Sequence, residues 1–251
     1  MILDVSSTSF IKQNQEYTAM VQVVFSPKWF WGKDIFIDSI AAFVLILIAV
    51  FVTRYYRLKK SRNYLYFAIS FYLIALSFLS KILINFTIYY QVLHTQVVGS
   101  MQYTQVILKS SEILSMSGLF FYRLLTLAGL FMLYSIYEKQ SKANILLMAF
   151  FIITSVLFSN EGYYIFYILS FILLGIISNR YYQNYRNNKK KETRMLAASF
   201  GIITLSQLFF MIVNFRLYFY VVGEIIQLAG YIVLLITFIM VLSHGRKKNK
   251  G

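Results

Sequence analysis

Three residues sit where chemistry would be costly without a purpose: Lys81, Arg123 and Glu224 each interrupt an otherwise apolar run. Ionised groups inside hydrocarbon face a bundle interior and pair there. Counted inward from the same end of their segments, all three fall about 10 Å deep at ~1.5 Å per residue. This shared depth predicts an Arg123–Glu224 ion pair, with Lys81 beside it and partly uncompensated. An excess positive charge there would suit an anionic or hydroxyl-bearing ligand. Gln207 falls near the same layer. Asp38, at the start of the first apolar run, is a second partner for Lys81. Asn85 and Asn214 stand near the ends of their segments, where they would cap or bridge. The competing reading is a buried ion pair that fixes helix order only, with Lys81 snorkelling along its own stem.

Other chemistry lacks its parts. His94 and His244 are the only histidines, and they fall at opposite ends of the apolar segments. They cannot share a metal or a haem. The chain has no cysteine, so thiolate ligands and disulfides are excluded. No serine has a base at a suggestive spacing, and no glycine-rich phosphate loop occurs. The expectation is a protein with no catalytic residues, no metal and no cofactor, and not an enzyme.

These residues must be positioned by membrane spans. Only 13% of the 251 residues are charged, and 59% are hydrophobic. A soluble domain carries about 25% charged residues, so a bilayer is the solvent this composition suits. About 20 apolar residues cross ~30 Å of hydrocarbon. Seven such segments are found, near 35–55, 64–90, 112–136, 144–159, 162–182, 195–214 and 217–242. The only proline, Pro27, precedes them, so the helices should run without proline kinks. Of 24 basic residues, 17 lie in alternate connections and the tail, which predicts an N-out/C-in multi-pass protein of the cell membrane. The charge of +15 then points to anionic lipid headgroups and not to nucleic acid. Segment 1–33 is expected outside, with strand-like stretches. The polar stretch 91–110 is expected as an outer loop that could cap the bundle with it. The basic stretch 244–251 is expected as a cytoplasmic tail. Trp29 and Trp31 should seat the N-terminal segment on the outer headgroups.

The chain also repeats itself. AISFYLIALSFLSKILINF (68–86) and AASFGIITLSQLFFMIVNF (197–215) share nine of nineteen positions, 129 residues apart. Upstream, RYYRLKKSRNYLYF (54–67) stands where RYYQNYRNNKKKETRML (180–196) stands, with three residues inserted in the second copy. Downstream, LLTLAGLFML (124–133) aligns with IIQLAGYIVL (225–234) at an offset of 101. The expected fold is therefore all-α and polytopic, a bundle over 34–243 built as a parallel three-plus-one-plus-three repeat. Repeat one covers about 35–137, a connector helix about 144–159, and repeat two about 162–242.

That layout is shared with microbial rhodopsins and SWEET transporters. The last segment, however, has no lysine for retinal, and no span holds the SWEET proline. The texture of RYYRLKKSRNYLYFAISFYLIALSF and VVGEIIQLAGYIVLLITF resembles the seven-helix sensor regions at the N-terminus of some prokaryotic histidine kinases, although no attached kinase or other output domain is expected. The resemblance implies a receptor or sensor with a small ligand from outside and a separate signalling partner. A structural or assembly protein, with an assembly partner, is the first alternative. A small-solute transporter is the second, and unbroken helices count against it.

Overall fold

The described residues form seven α-helices: α1 (Lys33–Lys59), α2 (Arg62–Thr95), α3 (Met101–Ser135), α4 (Lys142–Phe158), α5 (Tyr163–Asn188), α6 (Lys191–Met211) and α7 (Tyr218–Lys248). A 3-10 turn, Lys28–Phe30, precedes α1. The computed structural model describes residues 26–95, 101–136, 141–158 and 163–248. The strand-like stretches expected before residue 26 lie outside the described residues. Six of the helices are long and apolar enough to cross a membrane. An apolar environment forces this regularity, because each backbone N–H and C=O must find its partner within the segment.

Two turns stand out for being alike. α1 ends on Lys60 (φ 49°), whose N–H donates to the Tyr56 carbonyl at 2.7 Å. α5 ends before Lys189 (φ 53°), whose N–H donates to the Tyr185 carbonyl at 2.7 Å. Each is a left-handed stop of the kind that glycine usually supplies. One residue lies between Lys60 and Arg62, where α2 starts, and one between Lys189 and Lys191, where α6 starts. The three residues inserted in the second RYY segment therefore lengthen the end of α5 and leave the turn unchanged.

The helices close a ring in the order α1, α2, α3, α5, α6, α7, with α1 against α7 and α4 outside against α3 and α5. Within each half of the ring, helices that follow one another run antiparallel. Tyr55 of α1 meets Tyr64 of α2 at one end, while Asp38 meets Lys81 at the other. Tyr167 of α5 meets Phe210 at one end of α6, and Tyr181 meets Phe200 nearer the other. α3 and α5 consequently run in the same sense, so the chain must return between them. α4 makes that return. Its 17 residues reach only about 25 Å at ~1.5 Å per residue, short of the full crossing that its apolar run suggested. Ile145, Leu146, Leu147 and Phe151 are exposed on several sides of it, a pattern suited to lipid and not to water.

The 91–110 stretch departs from expectation. It is not mainly loop: α2 continues to Thr95 and α3 begins at Met101. At 34 and 35 residues these two helices are each about 50 Å long at ~1.5 Å per residue, well beyond a hydrocarbon core. The extra length of the first half is therefore largely helical extension. Residues 96–100 lie outside the described residues.

Inside the ring, Leu45, Ile48, Leu127, Leu133 and Leu234 are fully buried. Several hydroxyls in the core are satisfied locally. Ser77 donates to the Ile74 carbonyl and Ser206 to the Ile203 carbonyl, each at 2.7 Å. Two glycines let helices touch. A Cβ on Gly129 of α3 would meet Ile74 Cγ1 at 2.6 Å and the Ser70 carbonyl at 2.9 Å. A Cβ on Gly230 of α7 would meet Ile203 Cγ1 at 2.5 Å and the Ser199 carbonyl at 3.3 Å. Gly129→Ala and Gly230→Ala should each lower stability by about 1–3 kcal/mol, the usual cost of overpacking. Gly175→Ala, where the nearest atom is 3.8 Å away, should be tolerated. Thermal unfolding of the three variants in one detergent checks this.

Candidate functional site

Asp38 lies in the second turn of α1 and Glu224 in the second turn of α7. Because α1 and α7 are ring neighbours running in the same sense, their carboxylates arrive at one depth. Lys81 of α2, which runs the other way, meets both. Its Nζ donates to Asp38 Oδ1 at 2.9 Å and to Glu224 Oε1 at 2.5 Å. The two carboxylate side chains are 0% and 1% exposed, and the lysine 12%. This is a charge cluster withdrawn from solvent, tying together the first two helices and the last.

Aromatic rings wall it. Lys81 Nζ lies 5.6 Å from the Tyr220 ring centroid and 5.8 Å from that of Phe78, close enough for cation–π attraction. Phe30, from the turn before α1, is buried with Tyr220, Val221, Phe210 and Val213 and closes the same end of the bundle. Its neighbour Trp29 stays half exposed near Tyr218. The sequence reading picked the two tryptophans of SPKWFWGKD and passed over the phenylalanine between them, the one that packs. Asp38 Oδ2 is buried and accepts no hydrogen bond, so one of four carboxylate oxygens in the cluster is left without a partner.

The expected Arg123–Glu224 pair does not form, since the Glu224 carboxylate goes to Lys81. Lys81, expected to be partly uncompensated, is instead the hub, and the Asp38 contact offered for it is present. Ring order explains the difference: α7 packs on α6 and α1, whereas α3 packs on α2 and α5. Arg123 is itself buried on α3, next to Tyr122, which packs on Phe166 of α5. Asn85 is inside α2 and caps nothing, and its Nδ2 is buried without a hydrogen bond. Asn214 is exposed in the turn beyond Ile212, the residue that closes α6. Gln207 is buried and is not among the groups bonded to Lys81; its Nε2 lies 3.1 Å from Ser206 Oγ.

Gln207 lines a small cavity of about 20 Å³. Gln227, Tyr231, Thr126 and Ser170 contribute to its lining, with Phe71 and Phe200 among its aromatic walls. Of this lining, sequence reasoning named only Gln207. One signal was available: Glu224, Gln227 and Tyr231 stand at i, i+3 and i+7 and so share one face of α7. Nothing comparable marks Ser170. Among the described residues no group of three or more histidines, cysteines or carboxylates stands together as a metal site.

No protein-family model, curated protein or solved structure matches this chain. The site is therefore read from its own residues.

Removing the hub should cost more than removing the whole cluster. Lys81→Met leaves two buried carboxylates facing each other and should destabilise by about 3–5 kcal/mol. The triple variant Asp38→Leu, Lys81→Met, Glu224→Leu should recover most of that loss, because apolar packing needs no desolvation of charge. Reversible unfolding in mixed micelles would compare the two.

Proposed function

We propose that the protein is a multi-pass cell-membrane protein of receptor or sensor type, in which the Asp38–Lys81–Glu224 cluster is the switch. The observation that carries this is the cluster itself. A buried ion pair is a weak way to add stability, and its best-attested uses are to set register and to hold a two-state element. This one clamps α1, α2 and α7 at a single depth. An external signal that loosened Lys81 from either carboxylate would free α1 and α7 to shift against α2.

The basic residues of alternate connections support an N-out/C-in orientation, with the cluster in the outer half and anionic lipid headgroups around the inner loops. On this reading a small ligand reaches the cluster from outside, and a separate signalling partner reads the basic cytoplasmic face. The sense of the helices supports α4 as a crossing connector between two parallel halves. Matching turns at Lys60 and Lys189, and matching glycine contacts at Gly129 and Gly230, support the halves as repeats.

A second reading has its own observation. Lys81 already has two carboxylate partners, so no vacant positive charge awaits an anion. This favours a structural or assembly protein that the cluster holds rigid. Transport has less support, since the helices are unbroken and the cavity is small.

Spin labels separate the first two readings. The chain has no cysteine, so Asn63→Cys and Val241→Cys would place one label near the start of α2 and one near the end of α7. In nanodiscs, Glu224→Gln should shift or broaden the inter-label distance if the cluster is a switch. An unchanged distribution would favour the rigid role.

A further inference from the structure

The central cavity lies where the two halves of the ring face each other, with α2 and α3 on one side and α5, α6 and α7 on the other. Positions aligned by the internal repeat meet across it. Phe71 faces in with Phe200, and Ile74 with Ile203, both pairs at the offset of 129. Three further aligned pairs line it as well, and in two of them an apolar residue of the first half answers a polar one of the second. Phe78 aligns with Gln207, Leu130 with Tyr231 and Thr126 with Gln227. Hydrogen-bonding groups are thus concentrated on the second half's wall, opposite a largely apolar one.

These groups are under-used. Ser170 is 1% exposed, and its Oγ has no hydrogen-bond partner. Ser77, Thr126, Ser199, Thr204, Ser206 and Thr237, by contrast, each donate to a carbonyl of their own helix. An orphan buried hydroxyl forfeits the hydrogen bond it would make in water. The carboxamides are only loosely held. Gln227 Nε2 has Tyr231 Oη at 3.5 Å, and Gln207 Nε2 has Ser206 Oγ at 3.1 Å and the Ile203 carbonyl at 3.5 Å. Each amide has two donors and an acceptor oxygen to place, and contacts at 3.5 Å are at the limit of a useful bond.

Volume selects the occupant. The cavity holds about 20 Å³, and about 10–15 Å³ on this measure admits one water, provided that two to four polar groups receive it. No larger solute fits without moving helices, and a charged one would find no counter-charge on the lining. We infer that the cavity is an internal hydration site, in which one water bridges Ser170 of α5, Gln207 of α6 and Gln227 of α7. The water completes the hydrogen bonding of the second half and keeps a polar seam open between the halves, one turn inward from Glu224. The inference is independent of the receptor reading, since a rigid scaffold would need the same water.

Radiolytic hydroxyl labelling of the full chain in nanodiscs, in ¹⁸O-water, tests it. Radicals formed at a bound internal water oxidise the side chains around it, however buried they are. Tyr231 and Phe200 should be modified several-fold faster than Tyr181 and Phe210, which are equally buried but do not line the cavity. Gln207→Phe, which installs the residue found at the aligned position 78, should fill the space and abolish the excess labelling. Ser170→Ala, a milder change, should reduce it. If Tyr231 and Phe200 react no faster than Tyr181 and Phe210, the cavity is dry and the inference is wrong. Undiminished labelling in a folded Gln207→Phe protein would overturn it as well.

Discussion

Everything at one end of this bundle answers to a single constraint: an ammonium group held away from water must keep its countercharges. Lys81 meets that constraint with Asp38 from the helix before it and Glu224 from the last helix of the chain. Three depths are fixed at once as a result. α1 and α7 must enter in the same sense, so that residues five or six positions along each arrive together. α2 must run against both. The ring closes between α1 and α7 where the carboxylates stand side by side, and Phe30 and Tyr220 then cover them with apolar surface.

The remainder of the core is more forgiving. Its helices approach through glycines at Gly129 and Gly230 and through serines whose hydroxyls turn back on their own carbonyls, so packing is close and few polar groups are left over. Among the polar groups that do not turn back, Ser170 and the two glutamines gather around one cavity. The ion cluster and the neutral cavity are neighbours along α7, linked through the face that bears Glu224, Gln227 and Tyr231. Charge is placed where the helices must be held, and uncharged hydrogen-bonding groups where the two halves face each other.

Much of this was legible beforehand, for physical reasons. Apolar runs of span length have one solution in lipid, so all seven helices are visible in the residues, and Lys81, Arg123 and Glu224 fall at one depth because rise per residue is fixed. The partner of Glu224 was not legible. Depth says which residues share a layer, but azimuth and ring order decide which of them touch, and shared depth gave Arg123 where the ring places Lys81. The 91–110 stretch was read as loop because it is too polar to span, yet polarity excludes only hydrocarbon and says nothing against a helix that continues beyond it. Ser170 was invisible because one serine on an apolar helix looks like any other until its neighbours leave it without a carbonyl.

The central claim is that Lys81, and not Arg123, neutralises Glu224. Solid-state NMR in bilayers can measure it directly as the dipolar coupling between side-chain nitrogen and the ¹³C-labelled Glu224 carboxyl, with ¹⁵N-lysine and ¹⁵N-arginine samples prepared separately. A strong coupling in the lysine sample that vanishes in Lys81→Met, with none in the arginine sample, is the predicted result. A strong coupling to arginine nitrogen, lost in Arg123→Met, would contradict the account and restore the pairing that depth alone suggested.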